Sequence, residues 1–371
     1  MGRLIDALFN RMIGGQYDKL EGAAETGKWY EVDTPGAVSA DGTVWHGFMK
    51  KGSENKVIVC FFGGGVSPDE YTAARGYSAV KEGGAYSDTF SQGMYAMAGC
   101  IARFGIGSRG KKNPFRNWSV IVVPYATGDF HIGCGEVEYM ALTGEKKTLY
   151  HHGCLNFRLM MKEALKHIEA KKTDAVLVTG GSAGGFGSAL LADDVFDYFP
   201  HASHLAVAVD AGLMVSEKWR DAAVNRWHAP KEICDRLKTD NITVDSLVAL
   251  SRKRGKSVKI LFDCAVRDAA LSTFQAYLYG IDHAADRKDG DVFQSILKRS
   301  VERMRDEIPG IGVYIFEKIT DKENALMQHT ILSVPFAFRT FSGNKNPVQW
   351  IYDCIYGNVE SYGLELLGKD Y

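Results

Sequence analysis

Residues Ala175 to Leu190 read AVLVTGGSAGGFGSAL. An apolar, β-branched run ends in two glycines, a serine and an alanine, and further glycines open a helix-compatible segment. This is G-x-S-x-G in strand-to-helix context, where a cramped turn projects the serine hydroxyl from the end of a sheet. The glycines flanking Ser182 remove side chains that would collide with neighbouring backbone. The following helix directs its first N–H groups toward developing negative charge. Ser182 is therefore the expected nucleophile. A Walker phosphate loop would need Lys and then Ser or Thr after its second glycine, yet Phe186 follows Gly185. In a dinucleotide fingerprint counted from Gly180, Ser182 would occupy the place of the second glycine.

Outward from this stretch, further short apolar runs lie at Lys56 to Phe62, Ser119 to Pro124, Leu205 to Val209, Val258 to Phe262 and Val313 to Phe316. With Ala175 to Thr179 they form a set whose near-continuous hydrophobicity suits a parallel sheet covered on both faces. Between the second run and Ala175, the apolar residues Phe157, Met161, Ala164, Leu165 and Ile168 fall on one helical face. Strand–helix alternation predicts an α/β fold, a mostly parallel, doubly wound sheet with helices on both faces. Two stretches fit the alternation poorly and are expected as insertions, 67–117 and 214–256, the second a helical cap with helices over Lys231 to Leu237 and Val244 to Arg252. At about 150 residues per domain, 371 residues would suggest two or three. Neither insertion reads as an independent unit, so residues 1–371 are expected to form a single domain.

Glycine is the compositional excess, 40 of 371 residues, or about 11% against a usual figure near 7%. The 44 basic and 45 acidic residues nearly cancel, and no basic excess points to nucleic acid. No apolar stretch approaches the roughly 18 residues needed for a membrane span. Leu4, Ile5, Leu8, Phe9 and Ile13, near the start of the Met1 to Tyr30 segment, follow helical spacing broken by Asp6, Asn10 and Arg11. This predicts an amphipathic surface helix rather than a signal peptide. Seven scattered cysteines without a C-x-x-C pair suggest neither a zinc ribbon nor a disulfide framework. The expected location is cytoplasmic, with secretion as the alternative.

A serine nucleophile needs oxyanion donors, a base and an acid. The triplet Gly63-Gly64-Gly65 ends the first apolar run. Donors are expected from Ala183 and from Gly64, Gly65 or Val66. Among the histidines beyond Ser182 (His201, His204, His228, His283 and His329), only His329 closely follows the last core strand, which makes it the expected base. The acid is expected from VKILFDCAVRD, as Asp268 or else Asp263; Asp268 could equally cap the helix beginning Ala269-Ala270-Leu271. Asp129, His131, His151 and His152 lack any metal-ligand spacing, so neither metal nor other cofactor is expected. Asp129 should brace the loop beside the glycine triplet or border the substrate pocket. Tyr125 and Phe130 read as core more readily than as sugar-stacking platforms.

Taken in order, FFGGG, NPFRNWSVIVVPYATGDFHIG (Asn113 to Gly133), YHHGCLNF, TGGSAGG, VDAG (Val209 to Gly212) and the histidine of QHTIL resemble the pectin acetylesterase family, which includes the Notum carboxylesterase. The resemblance spans about Lys56 to Trp350. It differs at Val66-Ser67, where plant and animal members typically carry Trp and Cys. It implies an α/β-hydrolase fold and a serine esterase that removes O-acyl groups, commonly acetyl from pectin. Residue by residue it places the nucleophile on Ser182 and the base on His329, and it favours Asp268, which precedes Phe274-Gln275, as the acid. The expected substrate is an acylated small molecule or glycan, with no nucleic acid partner. A lipid or protein O-deacylase, or a non-catalytic binding module on the same scaffold, are the alternative readings.

Overall fold

The computed structural model describes residues 17–74, 98, 101, 104–281 and 284–371. Its centre is a nine-stranded sheet. The strands are β1 (Asp18–Lys19), β2 (Trp29–Val38), β3 (Val44–Lys50), β4 (Lys56–Phe61), β5 (Ser119–Val123), β8 (Ala175–Gly181), β9 (His204–Asp210), β10 (Val258–Ala265) and β11 (Gly312–Phe316). Two hairpins stand apart from it, β6 (Gly135–Met140) with β7 (Lys146–His151), and β12 (Ile319–Asp321) with β13 (Leu326–Met327). The spatial order is β1-β2-β3-β5-β4-β8-β9-β10-β11. The six apolar runs read from the sequence are the six contiguous strands from β5 to β11, all paired in parallel. Every residue of β5 and β11 is buried, as covering of both faces requires.

Among the described residues, six longer helices pack around the sheet: α1 (Gly153–Ala164), α2 (Ala183–Asp197), α3 (Ile242–Arg254), α4 (Ala269–Leu278), α5 (Arg287–Glu307) and α6 (Pro347–Tyr356). Helix α1 lies against β2, β3 and β5; α2 contacts β4, β8 and β9; α3 packs on α2 and β10. One continuous buried hydrophobic cluster extends from Trp29 to Leu367. The sheet is mostly parallel with helices on both sides.

The structure shifts several boundaries. Strand β8 continues through Gly180 and Gly181, and α1 begins at Gly153, four residues before the first residue of its apolar stripe, and ends before Ile168. The N-terminal expectation divides. Leu4 to Ile13 lie outside the described residues, whereas Tyr17 to Tyr30 carries β1 and the start of β2 rather than a helix. The antiparallel edge formed by β2 and β3 was hard to read because β2 holds Pro35 and Gly36. Its register slips between Asp33 and Val38, the irregular edge that proline in a strand demands.

Much of 67–117 lies outside the described residues. Within 214–256, residues Ile242–Arg254 are the crossover helix α3. Residues before it reach back to the chain after the glycine triplet: Trp227 Nε1 donates to the Ser67 carbonyl at 2.9 Å, and Lys218 Nζ lies 3.1 Å from Asp69 Oδ2.

Helix α2 is buried nearly all round, which explains its glycines. A Cβ on Gly184 would come within 2.0 Å of the Phe61 carbonyl oxygen, and one on Gly185 within 2.8 Å of Gly212 Cα. The helix can approach the sheet this closely only without those side chains. Gly184→Ala should therefore lower unfolding free energy by about 1–3 kcal/mol or more in a denaturant titration. Gly368→Ala, where a Cβ would meet nothing within 4 Å, should stay within about 0.5 kcal/mol of the parent.

Candidate active site

Ser182 sits between β8 and α2 with φ 59° and ψ −127°. A non-glycine residue with such a backbone costs about 1–3 kcal/mol and persists only where its surroundings over-determine it. Those surroundings are main-chain bonds: Ser182 N–H donates to the Asp210 carbonyl at 2.9 Å, while the Ser182 carbonyl accepts from Gly185 N at 2.8 Å and Phe186 N at 3.2 Å. Gly180 has no room for a Cβ, which would fall 2.3 Å from the Gly184 oxygen and 2.5 Å from that of Phe61.

The glycine triplet lies against this turn. A Cβ on Gly63 would sit 2.8 Å from Ser182 Cβ, 2.5 Å from the Gly181 oxygen and 3.2 Å from Ala183 N. Gly63 is thus in direct contact with the serine and the first residue of α2, although the glycine pattern points to Gly64, Gly65 or Val66 for the donor beside Ala183. Its signal was simply being the first glycine after the strand. Gly64 is half-buried, and Gly65, Val66 and Ala183 are buried.

Beneath the triplet is a dense polar knot. The Asp129 carboxylate, wholly buried, accepts from Thr127 Oγ1 at 2.6 Å and His131 N at 3.0 Å through Oδ1. Through Oδ2 it accepts from Gly133 N at 3.2 Å and Gly153 N at 2.8 Å. Burial pushes its carboxyl up, against the four donors that favour the anion. His131 Nε2 donates to the Phe62 carbonyl at 2.8 Å, and His151 Nδ1 to that of Thr127 at 2.8 Å. Burial takes the His131 imidazole down to about 4 and, with the nearby Arg226 charge, that of His151 to about 3. Both rings are neutral and serve main-chain carbonyls, while His152 faces Glu136. No group of three or more potential metal-ligating His, Cys, Asp or Glu side chains occurs among the described residues. Asp129 therefore braces the loop: Gly128 accepts from Ser67 N at 2.8 Å, and His131 fixes the carbonyl just before Gly63. Tyr125 and Phe130 are buried in the core, Phe130 stacked on Phe186 at 4.1 Å.

At the other side of Ser182, the loop after β13 carries His329. Its Nδ1 lies 2.8 and 2.9 Å from the two oxygens of Asp268. The approach is set by the backbone, because Met327 N–H donates to the Arg267 carbonyl at 2.9 Å and Met327 bridges Asp268 in parallel. Asp268 is also the N-cap of α4, accepting from Leu271 N at 2.9 Å. The two alternatives read for this residue, helix cap and histidine partner, are functions of one carboxylate. Burial alone would push the His329 imidazole down, but the Asp268 carboxylate, by charge and hydrogen bond, and Asp210 by charge, bring it above its ordinary 6.5. Of the His329 side chain 24% remains exposed, so the ring is still reachable. Thr330 Cγ2 is 3.0 Å from where a Gly181 Cβ would stand, which sets the histidine loop against the serine turn.

Asp263 is elsewhere. It pairs in register with Asp210 across β10 and β9 and is fully buried. His204 is the first residue of β9, and His283 lies outside the described residues.

Comparison with known proteins supplies the class. The family model for pectinacetylesterases matches residues 29–239, more than half of the chain, and the chain belongs to that family. Its sheet and helices are those of an α/β-hydrolase-like fold, and the family is one of esterases. A search of curated proteins finds no match. The matched region contains Ser182, the glycine triplet and Asp129; Asp268 and His329 lie beyond it, brought in by the fold.

The Asp129 knot yields a test. Asp129→Asn replaces one acceptor oxygen with a donor facing groups that already donate. Urea unfolding should show a loss of at least about 2 kcal/mol; a change within about 0.5 kcal/mol would mean that the loop is held by other contacts.

Proposed function

We propose that this protein is a serine esterase that hydrolyses O-acetyl esters of a carbohydrate through Ser182, His329 and Asp268. The observation that carries the reading is the His329–Asp268 contact at 2.8 Å on a loop packed against the strained Ser182 turn. A carboxylate at Nδ1 fixes the tautomer that leaves Nε2 free to accept a proton, and stabilises the imidazolium that results. Family membership favours acetyl as the acyl group.

In this reading, a bound ester brings Ser182 Oγ and His329 Nε2 into hydrogen bonding. His329 takes the Oγ proton as Ser182 attacks the ester carbonyl. The oxyanion is received by N–H groups of Ala183 and of the 63–65 segment, with Val66 as the next in register. Donors placed in advance are worth about 3–4 kcal/mol each, and Ala183 adds the N-terminal end of α2. His329 returns the proton to the departing alcohol, leaving an acyl-serine. Water then gives a proton to His329 as it attacks the acyl carbon; the acyl–Oγ bond breaks, His329 returns that proton to Ser182 Oγ, and acetic acid is released with serine and neutral imidazole restored.

Ser182→Ala should reduce turnover of 4-nitrophenyl acetate below about one-thousandth of the parent rate; retention of a tenth would place the nucleophile elsewhere. A series of nitrophenyl esters from C2 to C8, run beside acetylated glycans, tests the acyl preference. Highest kcat/KM at C2 is expected, and preference for C8 would instead indicate a lipid or protein deacylase.

The raised His329 value sets the sign of the pH dependence. The free enzyme needs neutral imidazole, so kcat/KM should be full at alkaline pH and fall as pH drops through a single ionisation above 6.5. Asp268→Asn should move that limb to lower pH and depress the plateau by about 10²- to 10⁴-fold. An unmoved limb would show that Asp268 does not act on the base.

A further inference from the structure

Asp210, the last residue of β9, bonds to both halves of the site. Its carbonyl accepts from Ser182 N at 2.9 Å. Its carboxylate accepts from Ile331 N at 2.9 and 3.1 Å and from Leu332 N at 2.8 Å, the residues that follow His329 and Thr330. One side chain and its own main chain thus join the serine turn to the histidine loop. Three residues at these joints, Ser182 (φ 59°), Ala211 (φ 50°) and Thr330 (φ 55°), are non-glycines with left-handed backbone. Such conformations persist only when held by their surroundings.

Behind Asp210, on the neighbouring strand, is Asp263. It is 0% exposed, and neither of its carboxyl oxygens has a donor. The titratable groups around the two carboxyls are Cys60 on β4, Cys264 on β10, Tyr314 on β11, and His329 with its partner Asp268. His329 is the only one of these that can become a cation. Two carboxylates buried side by side cannot both ionise, and a single proton between them converts repulsion into a hydrogen bond. Asp210 already holds two N–H donors, so the proton belongs on Asp263, whose carboxyl burial and the Asp210 charge push well upward.

We propose that Asp210 and Asp263 form a one-proton carboxyl pair in which the ionised Asp210 is a positioning residue, locking the His329 loop onto the Ser182 turn. Both side chains are buried, and the printed bonds of Asp210 run to the main chain of Ser182, Ile331 and Leu332. The pair acts by fixing the loop that carries the base and by placing a second negative charge near the imidazole. This rests on the catalytic reading of Ser182 and His329 given above.

The test uses the full chain, 4-nitrophenyl acetate, pH profiles of kcat/KM, and thermal unfolding. Asp210→Ala removes the acceptor of both loop N–H groups; kcat should fall about a hundredfold, the cost of a misplaced catalytic group, with KM within about twofold. Asp263→Ala should lower kcat about tenfold, and Asp263→Asn should rescue it to within about threefold, because the amide N–H replaces the carboxyl O–H facing Asp210. The double variant Asp210→Asn with Asp263→Asn removes the charge but leaves one amide oxygen at position 210 to accept from Ile331 N and Leu332 N, losing only the 3.1 Å contact to the second oxygen, so it reads the pair even where Asp210→Ala does not fold. Its acid limb should move down by about half a pH unit or more.

An unmoved limb in the double variant overturns the electrostatic role. An unchanged kcat in folded Asp210→Ala overturns the positioning role. Failure of Asn to rescue Asp263→Ala overturns the shared proton. Ser182→Ala is run alongside. If it stays active, the catalytic reading itself has failed, whereas an inactive Ser182→Ala beside Asp210 variants of parental behaviour sinks this inference alone.

Discussion

The approach of two main chains is the constraint on which this molecule depends. The end of β4 and the turn from β8 into α2 come so close that Gly63, Gly180 and Gly184 each lack space for a single carbon atom. That proximity puts the glycine segment beside Ser182 and the first N–H groups of α2. It also forces the serine into a backbone conformation that would be costly if isolated. The conformation is retained because it is bonded on both sides, to Asp210 before the helix and to Gly185 and Phe186 within it. Packing and the geometry of the site therefore have one cause here: the glycines that let α2 approach the sheet also clear the space around Ser182.

Charge is distributed around this frame by burial. Asp129 lies deep but is surrounded by donors, and its work is structural. His131 and His151 are equally deep, and desolvation keeps them neutral. His329 differs from them in facing a carboxylate that offsets the effect of burial. Three histidines thus share a residue type and diverge in behaviour according to whether the neighbour is a carbonyl or a carboxylate.

Legibility in the sequence followed the strength of the local constraint. The six parallel strands from β5 to β11 could be read because strands covered on both faces must be apolar throughout. The antiparallel strands β2 and β3 could not, since half-exposed positions, Pro35 and Gly36 blur any alternation. The serine turn was visible as a glycine pattern. The neighbour of His329 was left between Asp263 and Asp268, because chain distance alone cannot say which carboxyl faces a loop some sixty residues onward. The bridge from Met327 to Asp268 brings that loop to the second of them. Asp210 gave still less sign of its importance. An aspartate ending a buried strand is legible only once the register sets it beside Asp263 and the histidine loop sets its N–H groups against it.

The double engagement of Asp268 has a consequence for how far this position can drift. Its short side chain reaches the imidazole and, without changing rotamer, the first turn of α4. Glutamate would carry the same charge one methylene further out, where a carboxylate can follow the ring or close the helix end but is too long to satisfy both geometries. The helix start and the contact with His329 are tied to one side-chain length. Substitutions that retain the negative charge are as constrained here as those that discard it.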